Sequence, residues 1–472
     1  MKEIAKTEGQ ILREKLTAKK ENIFEKQSEK IGEIFSYAEG YKSFLDAAKT
    51  EREAVTELIR MAMENGFSEW KLGDPVKVGG AYYFNNRGKN LFLFRIGSEN
   101  IARDGVRIMA AHVDSPRLDL KQIPVYEDSG MCFFKTHYYG GIKKYQWTAI
   151  PLALHGVVIL ENGEEVTVKV GEDESDPIFY INDLLPHLAQ EQSAKPLGTA
   201  IPGEKLNLLV GGLPFADENV TEKIKLNVLS ILYEKYGIRE DDFVSAEISA
   251  VPAFKARDVG FDRAFIGAYG HDDRVCAYPI ATAIFGTDDR LHTTLVILAD
   301  KEEVGSDGNT GMNSMILRDV LDSIASSLHA DPILVRANSM CLSADVTAAY
   351  DPNFSEVYET KNSSMISCGT AMCKYTGARG KSSTNDASAE FVGTIRRLFN
   401  ENGVAFQTAE LGKIDLGGGG TVAKYISYIN VDTVDVGVPV ISMHAPYEVI
   451  SKADLYSTYR AFSAFCKLCR KS

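Results

Sequence analysis

The sequence predicts an α/β protein. Three observations carry that prediction: short apolar runs that end in a histidine or a carboxylate, helical stretches lying between them, and an interposed segment of different texture from about 123 to 243. The clearest run is 294–308, TLVILADKEEVGSDG. Its apolar residues, with Val296 and Ile297 adjacent, make a short buried strand that stops at Asp300, and Glu302 and Glu303 follow at once. Open α/β sheets bind ligands at the C-terminal ends of such strands. Adjacent side chains on an extended or turning backbone diverge, so one glutamate can hold a metal while the other reaches a water bound to it. Alone, the same window also reads as a solvated acidic loop, and the decision rests on partners elsewhere in the chain.

At 472 residues the chain exceeds the roughly 250–300 at which single cores stop growing, so two domains are expected. The net charge of -13 favours solubility and argues against a nucleic-acid or anionic-membrane partner. The N-terminal stretch MKEIAKTEGQILREKL is amphipathic and carries acids, and no apolar run reaches 18 residues, so a cytoplasmic protein is expected. Seven scattered cysteines, with Cys466 and Cys469 the one C-x-x-C, read as reduced structural thiols.

Taken in order, residues 11–63 have helical spacing and read as packing material. AYYFNNRGKNLFLFRIG reads as two strands around an Asn-Arg-Gly-Lys turn. Residues 106–111 form another buried strand, which ends in His112-Val113-Asp114. On extended backbone His112 and Asp114 share a face, so one can ligate a metal while the carboxylate orients the imidazole or supports the cluster. Between 123 and 243 strand alternation dominates, with a hairpin signal at Asn162-Gly163 and a helical piece at 222–236. No dense ligand set occurs in that segment; His187 is its most notable histidine.

The first texture resumes near 244. Asp272 and Asp273 sit where a helix begins, where N-capping and a metal bridge are both plausible uses of a carboxylate. Asp345 follows a small-residue run, and a buried acid needs a partner or a metal. Gly417 to Gly420 suit close backbone packing and lack the context of a dinucleotide fingerprint. His444 ends an apolar strand and has no ready structural explanation. Ser451 and Asp454 resemble a capping box for the last helix. If the strands share one sheet, His112, Glu302, Glu303, Asp345 and His444 converge in one crevice with Asp272. Such a mixture of nitrogen and oxygen donors suits two zinc ions, and cobalt, manganese or iron would accept similar ligands. A further carboxylate must then take the proton of the attacking water.

AHVDSP, Asp272-Asp273, Glu302-Glu303, Asp345, GGGGTVAKYIS and ISMHA occur here in an order and spacing that resemble the aspartyl aminopeptidase family of co-catalytic metallopeptidases. The similarity spans nearly the whole chain. It implies a mixed-sheet zinc-peptidase catalytic domain with helices on both faces, built from residues 1–122 and 244–472, and an inserted mostly-β dimerisation domain at 123–243. It implies Asp272 as the bridging ligand of two Zn²⁺ per subunit, with His112 and Asp345 completing one site and Glu303 and His444 the other. Glu302 becomes the general base, and Asp114 braces His112. A peptide substrate and a dodecamer built from dimers are implied as well.

Three departures touch specificity. Asp273 stands where the family usually has Asn, Asn362-Ser363-Ser364-Met365 replaces an Asn-Gln-Arg-Tyr stretch, and Glu191 replaces a histidine after Pro186-His187-Leu188-Ala189. A free α-amine needs a carboxylate, for which Asp273 is one candidate. An acidic first residue needs a cation, with Lys361, Lys374, Arg379 and Lys381 as candidates. The same metal centre would also serve a carboxypeptidase or another amidohydrolase, and loss of a ligand or base would mark a non-catalytic assembly protein.

Overall fold

The computed structural model describes residues 6–469, and it organises them around three sheets. The largest has nine strands. At its centre Thr294–Ala299, Arg107–His112, Met340–Ser343 and Asp432–Gly437 run parallel in that spatial order. Antiparallel strands flank this group: Asn90–Arg95 pairs with Thr294–Ala299 and Thr370–Cys373 with Asp432–Gly437. The sheet is therefore mixed, with a parallel heart whose C-terminal ends share one edge.

Both faces of this sheet are covered, and side-chain alternation shows why. Met109 and Ala111 of the Arg107–His112 strand, Val296 and Leu298, and Leu91 and Leu93 all enter one core. Helices Ile31–Ala47, Glu51–Glu64, His271–Gly286, Ala389–Glu401 and Lys452–Phe465 close that side. Ile108 and Ala110, Leu295 and Ile297, and Phe92 and Phe94 enter the opposite core, closed by helices Ile316–Ser327, Pro332–Asn338 and Ala423–Ser427.

A seven-stranded antiparallel sheet draws its strands from Arg117–Asp128 through Ala246–Pro252 and packs its own core with helix Lys223–Tyr236. Its limits lie a few residues outside 123–243 on both sides, because Ala246–Pro252 pairs with Leu152–Ile159 and Arg117–Asp128 rather than with the nine-stranded sheet. The hairpin signalled by Asn162-Gly163 joins Leu152–Ile159 to Glu165–Val170, with the Gly163 N–H donating to the Leu160 carbonyl. The turn at Arg87-Gly88-Lys89 likewise joins Ala81–Asn86 to Asn90–Arg95.

The third sheet has five strands, among them Phe265–Ala268, Pro439–Ile441 and Glu448–Ser451. Its importance is positional. Asp272 follows its strand Phe265–Ala268, and His444 follows its strand Pro439–Ile441. The expectation that His444 ends a strand of the same sheet as His112 is thus corrected: after Asp432–Gly437 the chain leaves the nine-stranded sheet before it reaches His444. Among the described residues no helix is long and apolar enough to cross a membrane.

Candidate metal centre

His112 closes the central strand and is 1% exposed. Its Nδ1 lies 3.1 Å from the Asp114 carbonyl oxygen and 3.3 Å from Asp114 Oδ1, which leaves Nε2 as its free nitrogen. That Nε2 is 3.2 Å from Asp272 Oδ1 and 3.9 Å from Asp345 Oδ1. Asp345 comes two residues after Met340–Ser343, and Gly437 on the adjoining strand makes room for it: a Cβ there would lie 1.7 Å from the Asp345 carbonyl oxygen.

Asp272 and Asp273 have non-helical backbone angles and a cis peptide between them, so the regular turns of helix His271–Gly286 begin only after Asp273. The helix start has no side-chain cap hydrogen bond, so N-capping does not account for Asp272. Its two oxygens address two imidazoles instead: Oδ1 faces His112 Nε2, and Oδ2 lies 3.2 Å from His444 Nε2. His444 Nε2 is in turn 3.6 Å from Glu303 Oε2. The His444 Nδ1–H donates to the Gly141 carbonyl at 2.8 Å, which fixes the tautomer with Nε2 toward the acids.

Glu302 and Glu303 leave a tight turn, Glu302–Val304, held between Lys301 and Gly305 in left-handed conformation. Their amides are fixed from behind by one buried carboxylate. Asp114 Oδ1 accepts the Glu302 N–H and Oδ2 the Glu303 N–H, each at 3.2 Å. Asp114 Oδ2 also accepts the Tyr139 hydroxyl at 2.8 Å. Burial opposes ionisation of Asp114, but its bonds to His112 and Tyr139 keep it below the ordinary carboxylate value.

The electrostatics are those of an acid cluster awaiting cations. Burial raises Glu302 to about 7; His112 opposes the shift, and Asp114 and Asp272 add to it. Burial likewise pushes Glu303 and Asp345 well above the usual range, and nearby carboxylates add to the effect. Glu303 Oε1 is buried and has no hydrogen-bond partner. Burial works against protonation of His444, yet Asp272 and Glu303 raise it to about 10. Mixed imidazole and carboxylate donors, with one Glu303 oxygen unspent, fit divalent ions. Two groups have ligand atoms within 4.8 Å of one another, His112–Asp273–Asp345 and His112–Asp272–Glu303.

The structure thus brings His112, Asp114, Asp272, Glu302, Glu303, Asp345 and His444 together. Asp273, a candidate for the substrate amine, is fully buried: its Oδ2 accepts the His112 N–H, its Oδ1 has no hydrogen-bond partner, and the carboxylate groups with His112 and Asp345, so its surroundings are the ligand cluster rather than an open cleft. The remaining expected participants lie elsewhere. His187 is exposed in the Pro186–Leu188 turn. Gly418 packs on the chain's own Ala378 backbone, where a Cβ would lie 2.5 Å from Ala378 Cα. Conversely, sequence reading missed the end of strand Met131–Tyr139. Tyr139 binds Asp114, Gly141 holds His444, and Gly140, at φ +76°, leaves only 3.2 Å between a notional Cβ and Glu303 Oε2. The one available signal was the Tyr-Tyr-Gly-Gly run at a strand end.

A mixed sheet whose parallel strands deliver His112, Glu302, Glu303 and Asp345, and a smaller sheet that delivers Asp272 and His444, meet at a centre where one aspartate spans both imidazoles, which defines a co-catalytic metallohydrolase. Residues 44–466 match the Aminopeptidase I zinc metalloprotease (M18) family. The chain belongs to that family and is a zinc-dependent metallo-aminopeptidase. It is 47% identical over 453 residues to a probable M18 family aminopeptidase 1 of Clostridium acetobutylicum, covering 94% of this chain and 97% of that one. The crystal structure of an M18 aminopeptidase from Thermotoga maritima superposes with a TM-score of 0.91 at 43% identity, over 95% of this chain and 99% of that one. The fold also matches the S. cerevisiae mApe1 dodecamer, with a TM-score of 0.75 at 22% identity over 91% and 96% of the two chains.

Proposed function

We propose that the chain removes N-terminal residues from peptides at a two-zinc centre in which Asp272 is the shared ligand. In this reading His112 and Asp345 complete one position, Glu303 and His444 the other, and Glu302 is the general base. The observation that carries it is the pair of equal 3.2 Å approaches from the two Asp272 oxygens to different imidazole nitrogens. Grouping by distance alone puts His112 in both clusters and omits His444. His112 has one nitrogen to give, because Asp114 holds the other, so it serves one ion and His444 serves the second.

Two zinc ions, when bound, supply an acidified water and a Lewis-acid hold on the scissile carbonyl. Glu302 takes the proton of the attacking water and returns it to the departing amine. Asp114 fixes the Glu302 backbone for that exchange.

The finer reading is a preference for Asp or Glu at the substrate's first position. Support comes from the locally basic loop that carries Lys361, Lys374, Arg379 and Lys381. Lys374 and Lys381 lie 3.8 and 3.1 Å from Asp386, so an acidic substrate side chain would compete with that carboxylate. The inserted sheet is proposed as the dimer-forming element of a cytoplasmic dodecamer, in keeping with the dodecameric S. cerevisiae neighbour. Metal analysis together with a panel of dipeptides differing only at the first residue tests the reading. Two zinc ions per chain and fastest cleavage of Asp and Glu are expected. One ion or none under replete conditions overturns the centre, and clear superiority of Leu or Ala overturns the acidic preference.

A further inference from the structure

Glu448 opens the strand Glu448–Ser451 and is 1% exposed, opposite Ala268 in the five-stranded sheet. Its carboxylate is spent on two backbone amides. Oε2 accepts the Asp272 N–H at 3.1 Å, and Oε1 accepts the His444 N–H at 2.7 Å. These two residues stand far apart in the chain, yet their side chains meet at 3.2 Å, so one buried group ties together the backbones that set this spacing.

We propose that Glu448 is a positioning residue for the metal centre, holding Asp272 and His444 at the separation one zinc ion requires. The inference rests on the reading that both are ligands. His444 has particular need of such a tie. Its backbone sits at φ +65°, sparsely populated for a side chain with a Cβ, and its imidazole is 35% exposed at the cleft. The Gly141 carbonyl fixes the direction of the ring, while Glu448 fixes the backbone that carries it. A carboxylate accepting two N–H groups makes charge-assisted bonds, stronger than neutral ones, and both of its oxygens are occupied away from the metal.

The arrangement repeats what Asp114 does on the other side of the centre. Asp114 grips the amides of Glu302 and Glu303, and Glu448 grips those of Asp272 and His444. The two halves of the site, carried by different sheets, are each set by one buried carboxylate acting on the main chain.

The test compares Glu448→Gln and Glu448→Asp with Asp454→Asn. Asp454 is a fully buried control: it too accepts two backbone N–H groups, from Ser367 and Gly369 at 2.7 Å each, but at no ligand segment. Zinc affinity is measured by chelator competition, zinc stoichiometry and thermal stability on the same preparations, and turnover across zinc concentrations. In Glu448→Gln one acceptor becomes an NH₂ group facing an N–H donor. Zinc at one position should bind about 10- to 100-fold more weakly, the usual cost of losing a group that orients a ligand. Excess zinc should restore much of the turnover with KM little changed. Asp454→Asn should lose thermal stability and keep wild-type zinc affinity. If Glu448→Gln does not fold, Glu448→Asp, which keeps the charge but shortens the reach, is read by the same competition assay. Zinc affinity within twofold of wild type in the folded Glu448 variants, or an equal loss in Asp454→Asn, overturns the proposal. His444→Ala separates it from the ligand assignment: if that variant still holds two zinc ions, the assignment fails whatever Glu448 does.

Discussion

Glu302 and Glu303 leave one turn under the same buried aspartate, and a description by charge alone would treat them alike. Geometry divides them: Glu303 Oε2 lies 3.6 Å from His444 Nε2 and groups with His112 and Asp272, whereas Glu302 falls in neither ligand group. Glu302→Gln keeps the shape and cannot take a proton, so metal content should stay at two while turnover falls by about 100- to 10,000-fold. Glu303→Gln should lose an ion instead, and added zinc should restore part of its activity. Metal stoichiometry and kcat on the same preparations check both, and near-wild-type turnover in Glu302→Gln would reverse the roles. A neighbouring structural group gives a milder case. Tyr139→Phe removes one hydrogen bond to Asp114 and should lower kcat severalfold with two ions retained; loss of an ion would give the hydroxyl a larger part than bracing. Seven of the assembled groups were legible in sequence because each is a charged residue or histidine left at the end of an apolar run or at a helix start. Tyr139, Gly141 and Glu448 were not, because they act through a hydroxyl, a carbonyl and a grip on backbone amides, none of which alters periodicity or composition.

Elements repeat the lesson with local and tertiary partners exchanged. The hairpins at 81–95 and 152–170 were readable because their turns carry the residues that turns require. Asp454 was misread: Ser451 does cap the last helix, accepting the Ala453 N–H, but the Asp454 carboxylate accepts Ser367 and Gly369 amides instead of reaching back. Aspartate is one methylene shorter than the glutamate of a capping box, and a loop distant in sequence offers two donors. A genuine capping box opens helix Glu51–Glu64, and its Glu53 does a second job. Glu53 Oε1 accepts from Nδ1 of His155 at 2.8 Å, while His155 Nε2 lies 3.3 Å from Glu172, so an imidazole of the seven-stranded sheet sits between an acid at the helix start and one just after strand Glu165–Val170. Burial disfavours its charge, but the nearby Glu172 and Glu53 carboxylates prevail and raise it above 6.5. A raised folded value means that the folded state binds the proton more tightly. The stabilisation is therefore full below pH 6.5 and is lost as pH rises through the folded value. The melting-temperature gap between wild type and His155→Gln should be widest on the acid side and narrow as pH rises. A gap that does not change with pH would mean that His155 contributes only packing.

At the scale of the whole molecule, the seven-stranded sheet has a core of its own and still reaches the metal centre, because Tyr139, Gly140 and Gly141 end one of its strands against Asp114, Glu303 and His444. Assembly through that sheet would therefore bear on catalysis. The sheet's connecting segments expose Leu184, Leu185, Leu188 and Leu197 before strand Leu208–Gly211 and Leu213 after it, each at least half accessible, and apolar side chains presented in this number are what association buries. Mass measurement in solution should give a multiple of the 51.9 kDa chain, with twelve copies expected from the proposed assembly. Replacing Leu185 and Leu188 together by aspartate should yield smaller species. If the Tyr139–Gly141 strand end depends on the assembled sheet for its order, those species should also bind zinc more weakly and show reduced kcat/KM, although no ligand has been changed. A clean wild-type monomer at micromolar concentration would remove the assembly role. A dissociated variant with undiminished zinc affinity and turnover would leave the sheet an assembly element whose strand end holds its place by the chain's own packing, and the metal centre would then be complete within a single subunit.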